Sequence, residues 1–309
     1  MSEIIINSIS KTYNPGLFKK KVKAVQKLSL EVSAGEVYGL IGPNGAGKST
    51  IIRILMGLMR PDSGSAIFRG TLLPNSTFYQ EVGYLPENPY LYDYLNLDEL
   101  LDFCRRVSGV ESQKSRDRAE ILMTKLGVID ARKRPLKTFS KGMLQRAGIC
   151  FALLHDPSVI ILDEPMSGLD PIGRKMVFDL IMELKGEGKT IFFCSHILSD
   201  VERLCDRIGL LNKGKMLKVF SQSEFLSPVG NLVHVLVDAF PDDWREQFGD
   251  VLKEVKRLPD GVLLSVIPMN LERLVMKIQG QNVSILGTKN VSNSLLEDLF
   301  MQAVTEADQ

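Results

Sequence analysis

The sequence is poor in the features that mark secreted, membrane-embedded or nucleic-acid-binding chains. Four cysteines occur among 309 residues, Cys104, Cys150, Cys194 and Cys205, and none forms a C-x-x-C pair. Three lie in apolar stretches that read as core, so reduced, buried thiols in a cytosolic protein are expected rather than a disulfide framework. No apolar run approaches the ~18 residues that a membrane helix needs. The longest, such as Val159–Leu162 and Thr190–Cys194, have the length of buried strands. Work at a membrane is therefore expected to go through a partner. The opening Met-Ser-Glu-Ile-Ile-Ile-Asn carries an early acid and no apolar signal core, so a secretory signal is not expected. Neither charge sign is in excess: 38 Lys and Arg face 37 Asp and Glu, for a net charge of +1. That balance gives no bulk attraction to nucleic acid or acidic lipid. Internal repeats and low-complexity tracts are absent.

What is present is an ordinary globular composition, 24% charged and 44% hydrophobic. The length suggests about two domains, able to bury roughly 75% of their unfolded surface. Up to about residue 220, short apolar strands alternate with amphipathic helices, the α/β pattern. Strands are expected at Glu3–Ile6, Ser29–Val32, Val37–Ile41, Ser65–Phe68, Val82–Tyr84, Val159–Leu162, Thr190–Cys194 and Arg207–Leu211. Helices are expected after residue 48 and over Leu97–Val107, Ser115–Leu126, Lys141–Leu154, Arg174–Lys185 and Ile197–Leu204. The block from about 90 to 145 has few strand signals and reads as a helical insert. Beyond residue 222 the grammar changes. Strand, helix, strand, strand, helix, strand follow over 232–286, with the turn signal Pro259-Asp260-Gly261 between the middle strands. This order suggests a small ferredoxin-like α+β module over 223–309. An amphipathic helix is expected at Ser294–Val304.

The strongest motif is Gly42-Pro43-Asn44-Gly45-Ala46-Gly47-Lys48-Ser49, which fits the phosphate-binding pattern G-x-x-x-x-G-K-[ST]. The strand Val37–Ile41 precedes it, and an apolar helix opening with Ser49 and Thr50 follows. Strand, glycine loop and helix are what phosphate binding requires. Glycines let backbone N–H groups curl around phosphate oxygens, and the helix N-terminus adds its positive dipole end. Lys48 is expected to reach the β- and γ-phosphates of a bound nucleotide, and the Ser49 hydroxyl to ligate Mg²⁺. A second motif, Val159-Ile160-Ile161-Leu162-Asp163-Glu164, is an apolar strand ending in two acids. Acids at the carboxyl end of a central strand face the ligand crevice of an open α/β sheet. Asp163 is expected to hold Mg²⁺ through water, and Glu164 to take the proton of the attacking water. A general base contributes about 10²–10⁴ in rate.

A third segment, Phe139-Ser140-Lys141-Gly142-Met143-Leu144-Gln145-Arg146, precedes a helix. With the phosphate loop, the Asp-Glu strand, Ser167-Gly168-Leu169-Asp170 and His196, it occurs in the order and spacing of ATP-binding cassette (ABC) transporter ATPases. The resemblance covers residues 1 to about 220. The segment resembles the family signature Leu-Ser-Gly-Gly-Gln, with Phe139, Lys141 and Met143 as departures. Ser140 is suited to cap the helix and offer a hydroxyl to phosphate, and Gly142 to close backbone approach. The resemblance implies that Ser140 and Gly142 complete the nucleotide site of a second ATPase subunit, in a homodimer that sandwiches two ATP. It implies that His196 contacts the γ-phosphate and that Asp170 lies in the loop joining the two sites. Tyr13 is where the family places an aromatic on adenine, a base-tolerant contact worth about 1–3 kcal/mol. Nucleotide contacts are thus expected from Tyr13, Gly42 through Thr50, Ser140, Gly142 and Asp170, catalysis from Glu164, His196 and Lys48, and metal ligation from Ser49, Glu87 and Asp163.

Glu87 departs from the family, which usually has glutamine there. A carboxylate keeps the oxygen ligand and adds a negative charge beside the metal. Pro86-Glu87-Asn88-Pro89-Tyr90-Leu91-Tyr92 is expected to connect the nucleotide to a partner helix. Glu87, the altered signature and the C-terminal Ser294-Leu295-Leu296-Glu297-Asp298-Leu299-Phe300 resemble the export branch. The implied assembly is peripheral to the cytoplasmic face of the cell membrane, with polytopic permease subunits as separate chains and no nucleic acid. Two alternatives are an importer ATPase and a soluble ABC ATPase acting on the ribosome or nucleic acid. The second lacks support from a duplicated cassette or a basic charge balance. The basic Phe18–Lys23 reads as a solvated hairpin.

Overall fold

The computed structural model describes residues 2–14, 21–225, 231–259, 261–279, 281, 283–292, 300, 301 and 305. The chain divides into two compact units, Met1–Gln222 and Ser223–Gln309. The first unit runs β1 (Ser2–Tyr13), β2 (Val22–Ser33), β3 (Val37–Ile41), α1 (Lys48–Leu55), β4 (Ser63–Phe68), β5 (Thr71–Leu72), α2 (Ser76–Glu81), β6 (Val82–Leu85), α3 (Leu97–Ser108), α4 (Ser112–Lys125), α5 (Lys141–Leu153), β7 (Val159–Asp163), α6 (Pro171–Gly186), β8 (Thr190–Ser195), α7 (Leu198–Leu204), β9 (Arg207–Asn212) and β10 (Lys215–Ser221). A single-turn helix, α8 (Gln222–Phe225), follows.

Six strands form the central sheet in the order β10-β9-β3-β8-β7-β6, and four form an antiparallel sheet, β2-β1-β4-β5. All pairs of the central sheet are parallel except β9 with β10. The runs Val37–Ile41, Val159–Asp163 and Thr190–Ser195 are buried throughout, as strands covered on both faces must be. Register brings their carboxyl ends level: Ile41 pairs with Ser195, and Asp163 with Cys194. Helix α1 leaves from that edge and is buried on nearly every side. Its Ile51, Ile52 and Leu55 share one apolar cluster with Ile4, Ile6 and Leu30 of the antiparallel sheet and with Ile161 and Phe192 of the central one. Each such side chain contributes about 1.5–3 kcal/mol by leaving water.

The α/β architecture, with its mixed sheet and helices, matches the sequence reading. Three details differ. The strands expected at Glu3–Ile6 and Ser29–Val32 are parts of 12-residue strands. Bulges shift their register between Ile6 and Ile9, and Ser8 and Lys27 both take positive φ. A bulge throws the alternation out of phase, so a period-2 reading stops there. Helix α2 was not anticipated. It is six residues long, capped by Asn75, and held chiefly by Phe78, whose ring meets Phe68 edge-on at 5.2 Å. Strand β10 was also missed. It follows the tight turn Lys213-Gly214, both at positive φ, and among its residues only Phe220 is fully buried.

The second unit contains β11 (Asn231–Val237), α9 (Trp244–Phe248), β12 (Leu252–Leu258), β13 (Gly261–Val266), α10 (Leu271–Gln279) and β14 (Ile285–Ser292). Its sheet order is β12-β13-β11-β14, antiparallel throughout. Two βαβ crossovers joined by a hairpin give this order, which is the ferredoxin-like arrangement. Val233, Val235 and Val237 alternate onto one face with Val262, Leu264 and Val266, and Phe248, Leu274 and Ile278 from the helices cover them. Asp260, most of Ser294–Val304, and 18–20 of the basic segment lie outside the described residues.

Candidate nucleotide site

The carboxyl edge of the central sheet opens into a cavity of about 460 Å³. Its lining is Tyr13, Val22 and Ala24 of β1 and β2, Asn44 to Thr50 of the glycine loop and α1, and Glu87, Glu164 and His196. Gly47 shows why the loop needs glycine. It sits at φ 112°, and a Cβ there would collide with the carbonyl oxygen of Ala24. Lys48 is buried, with Nζ donating to the Gly42 carbonyl at 2.7 Å and lying 3.5 Å from the Pro43 carbonyl. The same Nζ is 3.5 Å from Oε1 of Glu164.

Glu164 is fixed from four directions. Its N–H donates to the carbonyl of Cys194 on β8 (3.0 Å), and its own carbonyl accepts from Nε2 of Gln145 (3.2 Å). Its carboxylate meets Lys48 on one oxygen and His196 Nδ1, 2.8 Å away, on the other. The backbone there is left-handed, φ 52°, a conformation uncommon for a residue with a side chain and frequent at functional sites. His196 stands just past β8, is half exposed and lines the cavity.

Asp163 lies beneath the lining, 3% exposed. Its carboxyl is pushed up to about 6, first by burial. The Ser49 hydroxyl, hydrogen-bonded to it, draws it down, while the Glu87 and Glu164 carboxylates push it further up. One of its oxygens, Oδ1, is buried without any partner. A buried, unpaired carboxylate oxygen beside a hydroxyl and a second carboxylate suits a hard divalent cation with oxygen ligands. Ser49, Asp163 and Glu87 are thus a fitting donor set for Mg²⁺.

The remaining sequence-derived residues do not line this cavity. Ser140 caps α5, its Oγ accepting the Met143 N–H at 3.2 Å. Asp170 caps α6, its Oδ1 accepting the Gly173 N–H at 2.9 Å. Gly142 lies against the other loop: a Cβ there would come within 3.2 Å of the Gly168 carbonyl and 3.4 Å of the Leu169 side chain. Ser140, Gly142 and Asp170 therefore gather at the start of α5 and α6, apart from their own chain's phosphate loop. Tyr13 turns its hydroxyl to Thr50 Oγ1 and Met59 Sδ, each at 3.3 Å. Three contributors escaped sequence reading. Val22 and Ala24 line the cavity with Tyr13, from a strand whose start is hidden by flanking lysines. Gln145, a polar residue of α5 next to Arg146, is 1% exposed.

A glycine loop that follows β3 and opens α1, with two acids at the end of β7, two strands away in the same parallel sheet, defines a P-loop nucleotide triphosphatase. Residues 25–167 match the family model described as ABC transporter. An uncharacterized ABC transporter ATP-binding protein of Nostoc sp. is 38% identical over 99% of this chain and 91% of its own length. The lantibiotic transport ATP-binding protein SrtF of Streptococcus pyogenes is 40% identical over 73% of this chain and 95% of its own. A solved ATP-binding subunit of an ABC transporter is 29% identical, with a TM-score of 0.65, over 80% of this chain and 93% of that one. The chain belongs to the ABC transporter family, as an ATP-binding subunit with ATPase activity. Among the described residues, no helix is long and apolar enough to cross a membrane.

Proposed function

We propose that this subunit powers export by separate, polytopic membrane chains, through closure of two copies of the chain on two ATP. The observation that carries the reading is the split of the site. Lys48, Glu164 and His196 converge on one cavity, while Ser140 and Gly142 present a helix N-terminus elsewhere. A helix N-terminus attracts anionic phosphate, so it suits the nucleotide of a second copy. Mg²⁺, held by Ser49, Asp163 and Glu87, supplies charge neutralisation at the phosphates when bound.

In this reading the glycine loop cradles the phosphates and Lys48 leaves its internal acceptors for them. Glu164 accepts the proton of the attacking water, and His196 orients the carboxylate and faces the γ-phosphate. Tyr13 stacks on the base. Asp170 holds the loop between the two sites. The similarity to a lantibiotic transport protein supports export. The exposed Tyr90, Tyr92, Tyr94 and Phe103, with Tyr92 and Phe103 edge-to-face at 5.6 Å, suit contact with a membrane partner at its cytoplasmic side. Residues 1–222 form the ATP-binding domain in this account and 223–309 an accessory domain.

The test is affinity capture of the Glu164→Gln chain from its native membranes with ATP. A polytopic membrane protein retained with ATP and released by its removal is the expected outcome. Ribosomes or nucleic acid retained in its place would overturn the reading.

A further inference from the structure

Gln145 lies on α5, one and a half turns past the Ser140 cap, and is 1% exposed. Its side-chain nitrogen lies 3.2 Å from the carbonyl of Glu164 and 3.5 Å from that of Pro165. Both partners are carbonyl oxygens, so the amide nitrogen must face them, and its orientation is settled by chemistry. No other side chain among the described residues donates to the Glu164 carbonyl. Glu164 meanwhile holds φ 52°, a conformation that persists only where its surroundings enforce it. Three hydrogen bonds fix its main chain: its N–H donates to the Cys194 carbonyl of the sheet, and its carbonyl accepts from the Ser167 N–H at 3.0 Å, within the same turn, and from Gln145, the one side chain that ties the turn to α5.

We infer that Gln145 is a positioning residue. It holds the Glu164 main chain in the left-handed turn that aims the carboxylate at Lys48 and His196, and it ties that turn to the helix that begins at Ser140. The same helix is anchored at its start by Arg146, whose guanidinium donates to the Leu126 carbonyl at 2.7 Å and the Gly142 carbonyl at 3.3 Å. Through Gln145, the helix that faces one nucleotide is joined directly to the base that serves the other. The inference rests on the proposed roles of Glu164 and Ser140.

Two variants of the full chain test it. Gln145→Met keeps the volume and removes the donor. It should lower kcat about five- to tenfold while leaving KM for ATP within about twofold, as expected for one lost hydrogen bond felt at the reacting carboxylate. Gln145→Glu keeps the shape but, when ionised, points a carboxylate at two carbonyl oxygens. Its kcat relative to wild type should rise as pH falls and the carboxyl regains a proton to donate. A Gln145→Met chain with wild-type kcat, a loss of kcat matched by loss of ATP affinity, or a Gln145→Glu ratio that is flat with pH would assign Gln145 to packing alone. Glu164→Gln, measured alongside, separates the two layers. If it hydrolyses ATP at the wild-type rate, the reading of Glu164 fails. If it is inactive while Gln145→Met is unimpaired, only the present inference fails.

Discussion

His196 Nδ1 lies 2.8 Å from one carboxylate oxygen of Glu164, and Lys48 Nζ lies 3.5 Å from the other. A single acid thus links the glycine loop to the end of β8. The carboxylate is oriented by two donors on opposite sides, and its main chain is bent to present it. Glu164→Gln keeps the shape and an acceptor for His196 but loses the base. Hydrolysis should fall by about 10²–10⁴ with ATP binding retained, measured by phosphate release and by a fluorescent nucleotide. His196→Ala should lower kcat by about 10² with a smaller change in KM. Loss of nucleotide affinity in place of turnover would place both residues in binding rather than chemistry.

Ser140 has two roles that one substitution separates. Its Oγ caps α5, and in the proposed dimer it also meets the partner's phosphate. Glycine at an N-cap costs only a few tenths of a kcal/mol, whereas alanine costs about 1 kcal/mol. Ser140→Gly should therefore leave thermal stability nearly unchanged while reducing turnover. Ser140→Ala should reduce both. Wild-type turnover in the glycine variant would show that the hydroxyl serves the cap alone.

In the proposed function Tyr13 provides the base contact. Tyr13→Leu should weaken ATP binding by about 1–3 kcal/mol, and Tyr13→Trp should restore it. Because every base has a π-face, GTP should weaken in parallel. A variant that discriminates between the two nucleotides would contradict a stacking role.

His155 gives a pH dependence outside the site. Burial lowers its imidazole below the usual 6.5. The Val82 carbonyl, 3.1 Å from Nε2, opposes this, and the Arg118 charge reinforces it. The folded chain thus holds His155 neutral where the unfolded chain already binds a proton. Stability from this residue is complete above pH 6.5 and is lost as pH falls from there towards the lower folded value. His155→Gln should flatten the fall in melting temperature between pH 7 and pH 5. Equal slopes in the two proteins would refute the assignment.

Much of this was legible in the sequence because local signals and tertiary demands agreed. The runs Val37–Ile41 and Val159–Leu162 are apolar throughout because both faces are buried, and the glycines between 42 and 47 have no other common use before a Lys-Ser helix start. The alternation of Val233, Val235 and Val237 against Val262 and Leu264 was readable for the same reason. What was not legible depends on partners distant in sequence. Phe78 holds α2 only by meeting Phe68, and the bulges at Ser8 and Lys27 hide half of β1 and β2 from a period-2 reading. Gln145 resembled any polar helix residue until its distance to Glu164 was known. The unpaired Oδ1 of Asp163 likewise has no sequence signature.

The most direct test of the account is the mass and nucleotide content of Glu164→Gln in solution with ATP and Mg²⁺. Glu164→Gln should form an ATP-dependent dimer holding two ATP, abolished by adding Ser140→Gly or by removing Mg²⁺. A chain that binds ATP fully and remains a monomer would contradict it, because Ser140 and Gly142 would then have no nucleotide to meet.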